Sequence, residues 1–204
     1  VTAVIGSQWG DEAKGKLVDV LCQQADIVAR FNGGDNAGHT VINQYGTFKL
    51  RLTLNGFYNP QTICVIGPGV VLNLATLLAE LEMIEKSGIE LSSRLWLSPR
   101  CHLIMPYHPM LESIYEEAKG SGRTGTTRRG IGPVYADMVS YNGLRLADLA
   151  NEAVFSEKLR VQLAVKNKIF DAFGMQPLDY ETVRSEQLEQ YARVQALVRE
   201  AFGL

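Results

Sequence analysis

The chain has 204 residues, 46% of them hydrophobic and 21% charged, which is enough apolar material for a sizeable core in one or two domains. A formal charge of −2 argues against a broad basic surface for nucleic acid, and no apolar run has transmembrane length or a signal-peptide layout. Three widely spaced cysteines, Cys22, Cys64 and Cys101, read as buried thiols in a reducing, cytosolic setting rather than as a disulfide framework.

In chain order, residues 1–5 (VTAVI) predict a short strand that runs into a glycine loop, and a helix opens near Gly15. ADIVARF (25–31) predicts a buried strand, and residues 40–54 a hairpin turning at Gln44, Tyr45 and Gly46. Residues 62–73 predict a strand broken by Gly67, Pro68 and Gly69. Asn73 then caps a helix that stops at Gly88. A strand over 93–98 and a helix over 110–119 follow. Residues 120–133 form a glycine- and threonine-rich loop, too long for a mere connector. Beyond about residue 144 the pattern is helical, over 151–173 and 179–202. The expected fold class is α/β: a P-loop-like, mixed but mostly parallel sheet flanked by helices, with residues 1–149 as the nucleotide-binding part and 150–204 as a helical segment.

Three stretches carry chemistry. Gly10, Asp11, Glu12, Ala13, Lys14, Gly15 and Lys16 fit the spacing G-x-x-x-x-G-K, in which glycines let backbone N–H groups close on phosphate and lysine adds charge. Leu17 stands where a magnesium-binding hydroxyl would be. Acids inside the loop make sense if a divalent cation is clamped between a carboxylate and phosphates. The competing reading is a tight strand-to-helix turn with solvated charges. FNGGDNAGHT (31–40) places Asn36, His39 and Thr40 among glycines at a strand end, where ligands of parallel sheets gather. GRTGTTRRGIGP (122–133) offers hydroxyl and guanidinium donors suited to a phosphate monoester, or else a mobile surface loop. His39, His102 and His108 lack zinc-ligand spacing.

QWGDEAKGK, GGDNAGHT, VIGPGVVLN and GTTRRGIGP, collinear from residue 1 to about 149, resemble the adenylosuccinate synthetase family. The resemblance implies a cytoplasmic, Mg²⁺-dependent homodimer that joins IMP to L-aspartate with GTP, on the route to AMP. It implies that Asp11 removes the N1 proton of IMP and ligates Mg²⁺, and that His39 acts as acid to the transferred phosphoryl group. Lys14 would lie beside the phosphates. Residues 10–16 with Gly38, His39 and Thr40 would bind GTP. Asp11, Glu12, Ala13, Lys14, Asn36, Ala37, Gly38, His39 and Thr127 would bind IMP, and the Gly38 carbonyl would be a second metal ligand. Three positions depart from the family pattern: Ala13 and Arg128 stand where glycines are usual, and Tyr141 where an arginine reaches the partner subunit's IMP. Family chains are roughly twice as long. The expectation is therefore an N-terminal half, weak or inactive alone, with a catalytically degenerate nucleotide-binding paralogue as the alternative. A different P-loop GTPase or kinase is disfavoured by Leu17 and by the QWGDE text.

Overall fold

The computed structural model of the chain describes residues 1–7 and 14–201. A parallel sheet is organised around one long strand. Helix α1 (Lys14–Leu21) precedes β1 (Ile27–Gly33), and β2 (His39–Asn43) and β3 (Gly46–Leu50) form a separate antiparallel hairpin. Strand β4 (Ile63–Leu72) pairs parallel with β1 on one side. On the other it pairs first with β5 (Leu95–Leu97) and then with β6 (His102–Leu103). Helices α2 (Leu74–Lys86), α3 (Tyr107–Ala118) and α4 (Ile131–Val139) complete the first part, and α5 (Glu152–Ala172) and α6 (Tyr180–Val194) follow. The expected class is borne out.

Strand β4 is almost wholly buried, as its near-continuous apolar run requires of a strand covered on both faces. Helix α2 begins where Asn73 Oδ1 accepts the Thr76 N–H at 3.1 Å, and it buries Leu74, Leu77, Leu78, Leu81 and Ile84 on one stripe. Phe155, Leu159, Leu163 and Phe170 of α5 and Val183 of α6 share one hydrophobic core with the sheet. Each large side chain so buried contributes about 1.5–3 kcal/mol.

Five sequence expectations need correction. Strand β1 forms where expected but is not buried: Ile27 and Phe31 are exposed and none of its residues is buried. Residues 1–5 form no strand; Val1 and Ile5 are exposed, and no ladder partner lies beside them among the described residues. Strand β4 is not broken at Gly67, Pro68 and Gly69. Opposite them β1 bulges, with Arg30 pairing Ile66 and Asn32 pairing Gly69. A Cβ on Gly69 would lie 2.3 Å from the Phe31 carbonyl oxygen, so these glycines permit close approach of two backbones. Residues 51–54 do not extend the hairpin. Helix α4 begins inside the stretch read as loop, at Ile131, because Pro133 falls in its first turn, where no N–H is required.

A buried polar knot joins the helices. The Met105 N–H donates to His108 Nδ1 at 2.8 Å, so the other ring nitrogen, Nε2, donates to Asp137 Oδ2 at 3.1 Å, and Lys166 Nζ donates to Asp137 Oδ1 at 2.7 Å. Burial pushes the His108 pKa below its ordinary value, and burial does the same to His102. The three cysteines are buried and free, and burial raises their thiols to about 11 for Cys22 and about 12 for Cys64 and Cys101.

Two predictions follow from this packing. His102 and His108 stay neutral in the folded chain where they would charge in the unfolded chain, near 6.5. The unfolded chain then binds more protons, so stability falls as pH drops below about 6.5, by at most roughly 1.4 kcal/mol per pH unit for each histidine. Urea unfolding at pH 7, 6 and 5 should show a falling midpoint, and a flat profile contradicts the assignment. Arg128 and Tyr141 are the non-glycine residues with left-handed backbone, at φ 55° and 62°. Arg128→Gly should stabilise the fold by about 0.5–1 kcal/mol, the steric relief outweighing the added chain entropy. An unchanged or lowered midpoint would refute this.

Candidate functional site

A cleft of about 810 Å³ opens between the start of α1, the end of β1 and the start of β2. Its wall is the segment 51–55, which follows β3 and has no sheet ladder of its own. Its backbone must find partners elsewhere. Glu80 of α2, 5% exposed, takes the N–H groups: Oε1 accepts from Arg51 at 2.5 Å and Oε2 from Thr53 at 2.7 Å, and both oxygens accept from Leu52 at 3.2 Å. Arg30 of β1 takes the carbonyls. Its Nη1 donates to Arg51 and Leu52, and its Nη2 to Gly34 at 2.6 Å. Burial lowers the Arg30 pKa, and the Glu80 carboxylate opposes that shift. An unpaired N–H or carbonyl here would cost about 1–3 kcal/mol.

The wall then holds the glycine loop. Asn55 Nδ2 donates to the Gly15 carbonyl at 2.9 Å, and Tyr58 donates to Asp19 Oδ1 at 2.9 Å. A Cβ on Gly15 would sit 3.2 Å from His39 Cβ, so the glycine lets the loop close on the imidazole. His39, the first residue of β2, has its Nε2 buried without a hydrogen-bond partner among the described residues. Burial lowers the His39 pKa, Arg30 adds to that, and Glu80 and Asp19 oppose it. At neutral pH the ring is therefore an uncharged donor or acceptor in a residue that lines the cleft.

Lys14, Gly15, Ala37, Gly38 and His39 all line this cleft, so the residues predicted from two separate motifs meet. Lys16, Asn36 and Thr40 are exposed and do not line it. Gly10, Asp11, Glu12 and Ala13 lie outside the described residues. Thr127 is exposed on the long loop after α3. That loop is folded back by two acids of α3: Glu116 Oε2 accepts the Gly125 N–H at 2.9 Å, and Glu112 Oε2 accepts the Gly130 N–H at 2.8 Å. A hydrogen bond from Lys119 leads in pushing the Glu116 carboxyl down to about 2. Arg129 reaches within 3.7 Å of the buried Asp35 carboxylate, so Thr127's loop lies beside the glycine-rich segment after β1. Tyr135 closes the same seam, accepting the Gly33 N–H and donating to the Gly69 carbonyl, both at 2.9 Å.

The sequence reading missed Arg30, Arg51, Asn55 and Glu80. A signal existed for two of them. Arg30 interrupts an otherwise apolar strand. Glu80 lies three residues after Leu77 and four before Ile84, on the buried stripe of α2 rather than on its solvent side.

Known proteins resemble the chain along nearly its whole length. A family model described as adenylosuccinate synthetase matches residues 3–203. The adenylosuccinate synthetases of Pelodictyon phaeoclathratiforme and Pelotomaculum thermopropionicum are each 47% identical to the chain, over 91% and 92% of it and 43% of their own lengths. The solved structure of fully ligated adenylosuccinate synthetase from Plasmodium falciparum matches with a TM-score of 0.82 at 33% identity, covering 95% of this chain and 45% of that one. The chain thus spans less than half the length of the relatives it matches. With the family match running through nearly every residue, and the two glycine-rich motifs converging on one cleft, the chain belongs to the adenylosuccinate synthetase family.

Proposed function

We propose that this chain supplies the phosphate-handling part of an adenylosuccinate synthetase, which joins IMP and L-aspartate with GTP to give adenylosuccinate, GDP and phosphate. One observation carries the reading. His39, whose buried Nε2 has no hydrogen-bond partner among the described residues, lines a cleft together with Lys14, Gly38 and Arg51. An orphaned ring nitrogen among cations suits a phosphoryl oxygen.

In this reading the γ-phosphoryl group of GTP moves to the 6-oxygen of IMP, and the amine of aspartate then displaces it. Asp11 takes the N1 proton, so that the 6-oxygen gains anionic character as it attacks. His39 donates an N–H hydrogen bond to the moving phosphoryl group, and Lys14 places a positive charge beside it. Gly10, Glu12, Ala13, Gly15 and Lys16 surround the GTP phosphates. Asn36 and Ala37 face IMP, and Thr127 takes the IMP phosphate. Thr40 lies on the GTP side. The bound negative charge draws the His39 pKa upward, which favours its part as acid.

The donor set fits Mg²⁺. Gly38 lines the cleft and offers a carbonyl oxygen, and Asp11 would add a carboxylate. Two hard oxygen donors beside phosphates suit an ion that keeps several waters. When bound, Mg²⁺ neutralises charge on the phosphates. Among the described residues no helix is long and apolar enough to cross a membrane. The reading carries with it a cytoplasmic location and a homodimer.

A second reading, a nucleotide-binding relative without turnover, is favoured by one observation: two of the positions that depart from the family pattern, Arg128 in the long loop and Tyr141 after α4, sit at left-handed φ. Binding without turnover, in a family-length protein that carries this segment, would support it.

The test is calorimetric titration of the chain with GTP plus Mg²⁺ and with IMP. Both should bind. His39→Ala should weaken GTP binding by about 10- to 100-fold, the worth of a hydrogen bond to a charged group. Gly15→Val should weaken it comparably by displacing the imidazole. No heat from either nucleotide, or wild-type affinity in His39→Ala, sinks the proposal.

A further inference from the structure

We propose that Glu80 is a positioning residue of this cleft: by gripping the N–H groups of Arg51, Leu52 and Thr53 it sets the wall from which Asn55 holds the glycine loop against His39. Its bearing on nucleotide binding rests on the function proposed above. The wall itself does not.

The chain of contacts is continuous. Glu80 projects from the buried stripe of α2 and takes three successive N–H groups. Two residues beyond the last of them, Asn55, itself 5% exposed, donates to the Gly15 carbonyl, one residue from Lys14. A Cβ on Gly15 would lie 3.2 Å from His39 Cβ, so the His39 side chain packs over this glycine. Arg51, the first residue gripped, lines the cleft and donates to the Asp35 carbonyl at 3.3 Å, which ties the wall to the loop before His39. A shift of the wall therefore moves Lys14, His39 and Arg51 relative to one another.

An acid is required at this position on two grounds. Three adjacent N–H groups all point at one side chain, and a carboxylate, with two acceptor oxygens and no donor, can satisfy them without a clash of hydrogens. A glutamine offers one oxygen and turns two N–H hydrogens toward the remaining donors. The second ground is charge. Lys14, Arg30 and Arg51 converge on the cleft, and Glu80 stands close enough to Arg30 to be the chief group opposing its desolvation. The carboxylate lets these cations gather before any anion arrives, while its own oxygens are spent on backbone and do not face the ligand.

The experiment compares Glu80→Gln, Glu80→Asp and Asn55→Ala with Leu77→Ala. Leu77 is fully buried on the same helix and holds none of the wall's N–H groups, so its loss lowers Tm through packing alone. GTP affinity in the presence of Mg²⁺ is measured together with amide hydrogen exchange. Glu80→Gln should weaken GTP binding about ten-fold or more, as misplacement of binding groups does. Leu77→Ala should keep wild-type affinity at equal loss of Tm. The Glu80→Gln/Asn55→Ala double variant should be no weaker than the poorer single one, because both act through one wall. Exchange should quicken at residues 51–53 and also at Asp19, whose helical N–H shares the Gly15 carbonyl with Asn55. Wild-type affinity in Glu80→Gln, or a loss matched by Leu77→Ala, overturns the proposal. Where Glu80→Gln does not fold, Glu80→Asp decides: its shorter reach should loosen residues 51–53 and weaken binding, and wild-type exchange and affinity in it refute the claim. If the wild-type chain binds no GTP, the proposed function fails, yet exchange at the Asp19 amide, which shares the Gly15 carbonyl with Asn55, still judges Glu80. An unmoved Asp19 amide refutes it.

Discussion

The cleft exists because a short piece of backbone without a strand beside it is satisfied from both sides by buried charge. After β3, residues 51–53 present N–H groups toward α2 and carbonyls toward β1. Glu80 answers the first and Arg30 the second. Left unmade, even two or three such bonds would cost several kcal/mol, a large share of the 5–15 kcal/mol by which a domain is stable. The same two side chains fix the cleft's shape and its electrostatics, since Arg30 lines it and Glu80 balances the charge behind it.

The device is used twice. In the second loop, Glu112 and Glu116 of α3 draw in the N–H groups of Gly130 and Gly125. In both places acids sit near a loop proposed to meet phosphate, which looks contradictory when charges are merely counted. The geometry removes the contradiction. The carboxylates are held by backbone donors from behind, with Lys119 also on Glu116, so their charge is directed into the loops' own backbone. Arg129 against Asp35 joins the two loops, and Tyr135 pins the strand ends between them.

Much of this was legible in the sequence where local rules dominate. The Asn73 cap, the period of α2 and the β2–β3 hairpin follow from short-range chemistry, and the two glycine-rich motifs pointed to residues that do share a cleft. What was not legible depended on long-range partners. Gly67, Pro68 and Gly69 read as a break because nothing local announces that β1 will bulge to meet them. Residues 51–54 alternate like a strand but lack a neighbour to pair with. Residues 1–5 have strand composition and no ladder. Glu80 looked like one more helical glutamate until its position among Leu77, Leu81 and Ile84 is given weight. Its three partners are still about thirty residues away in the chain.

The central claim is that the unpartnered edge of His39 faces a phosphoryl group held between two nucleotides. A crystal structure of the chain with GTP, IMP and Mg²⁺ tests it most directly. The account predicts His39 Nε2 within hydrogen-bond distance of a phosphate oxygen in the cleft, with Lys14 beside it. Nucleotide density elsewhere, or an imidazole turned away from it, would contradict the account.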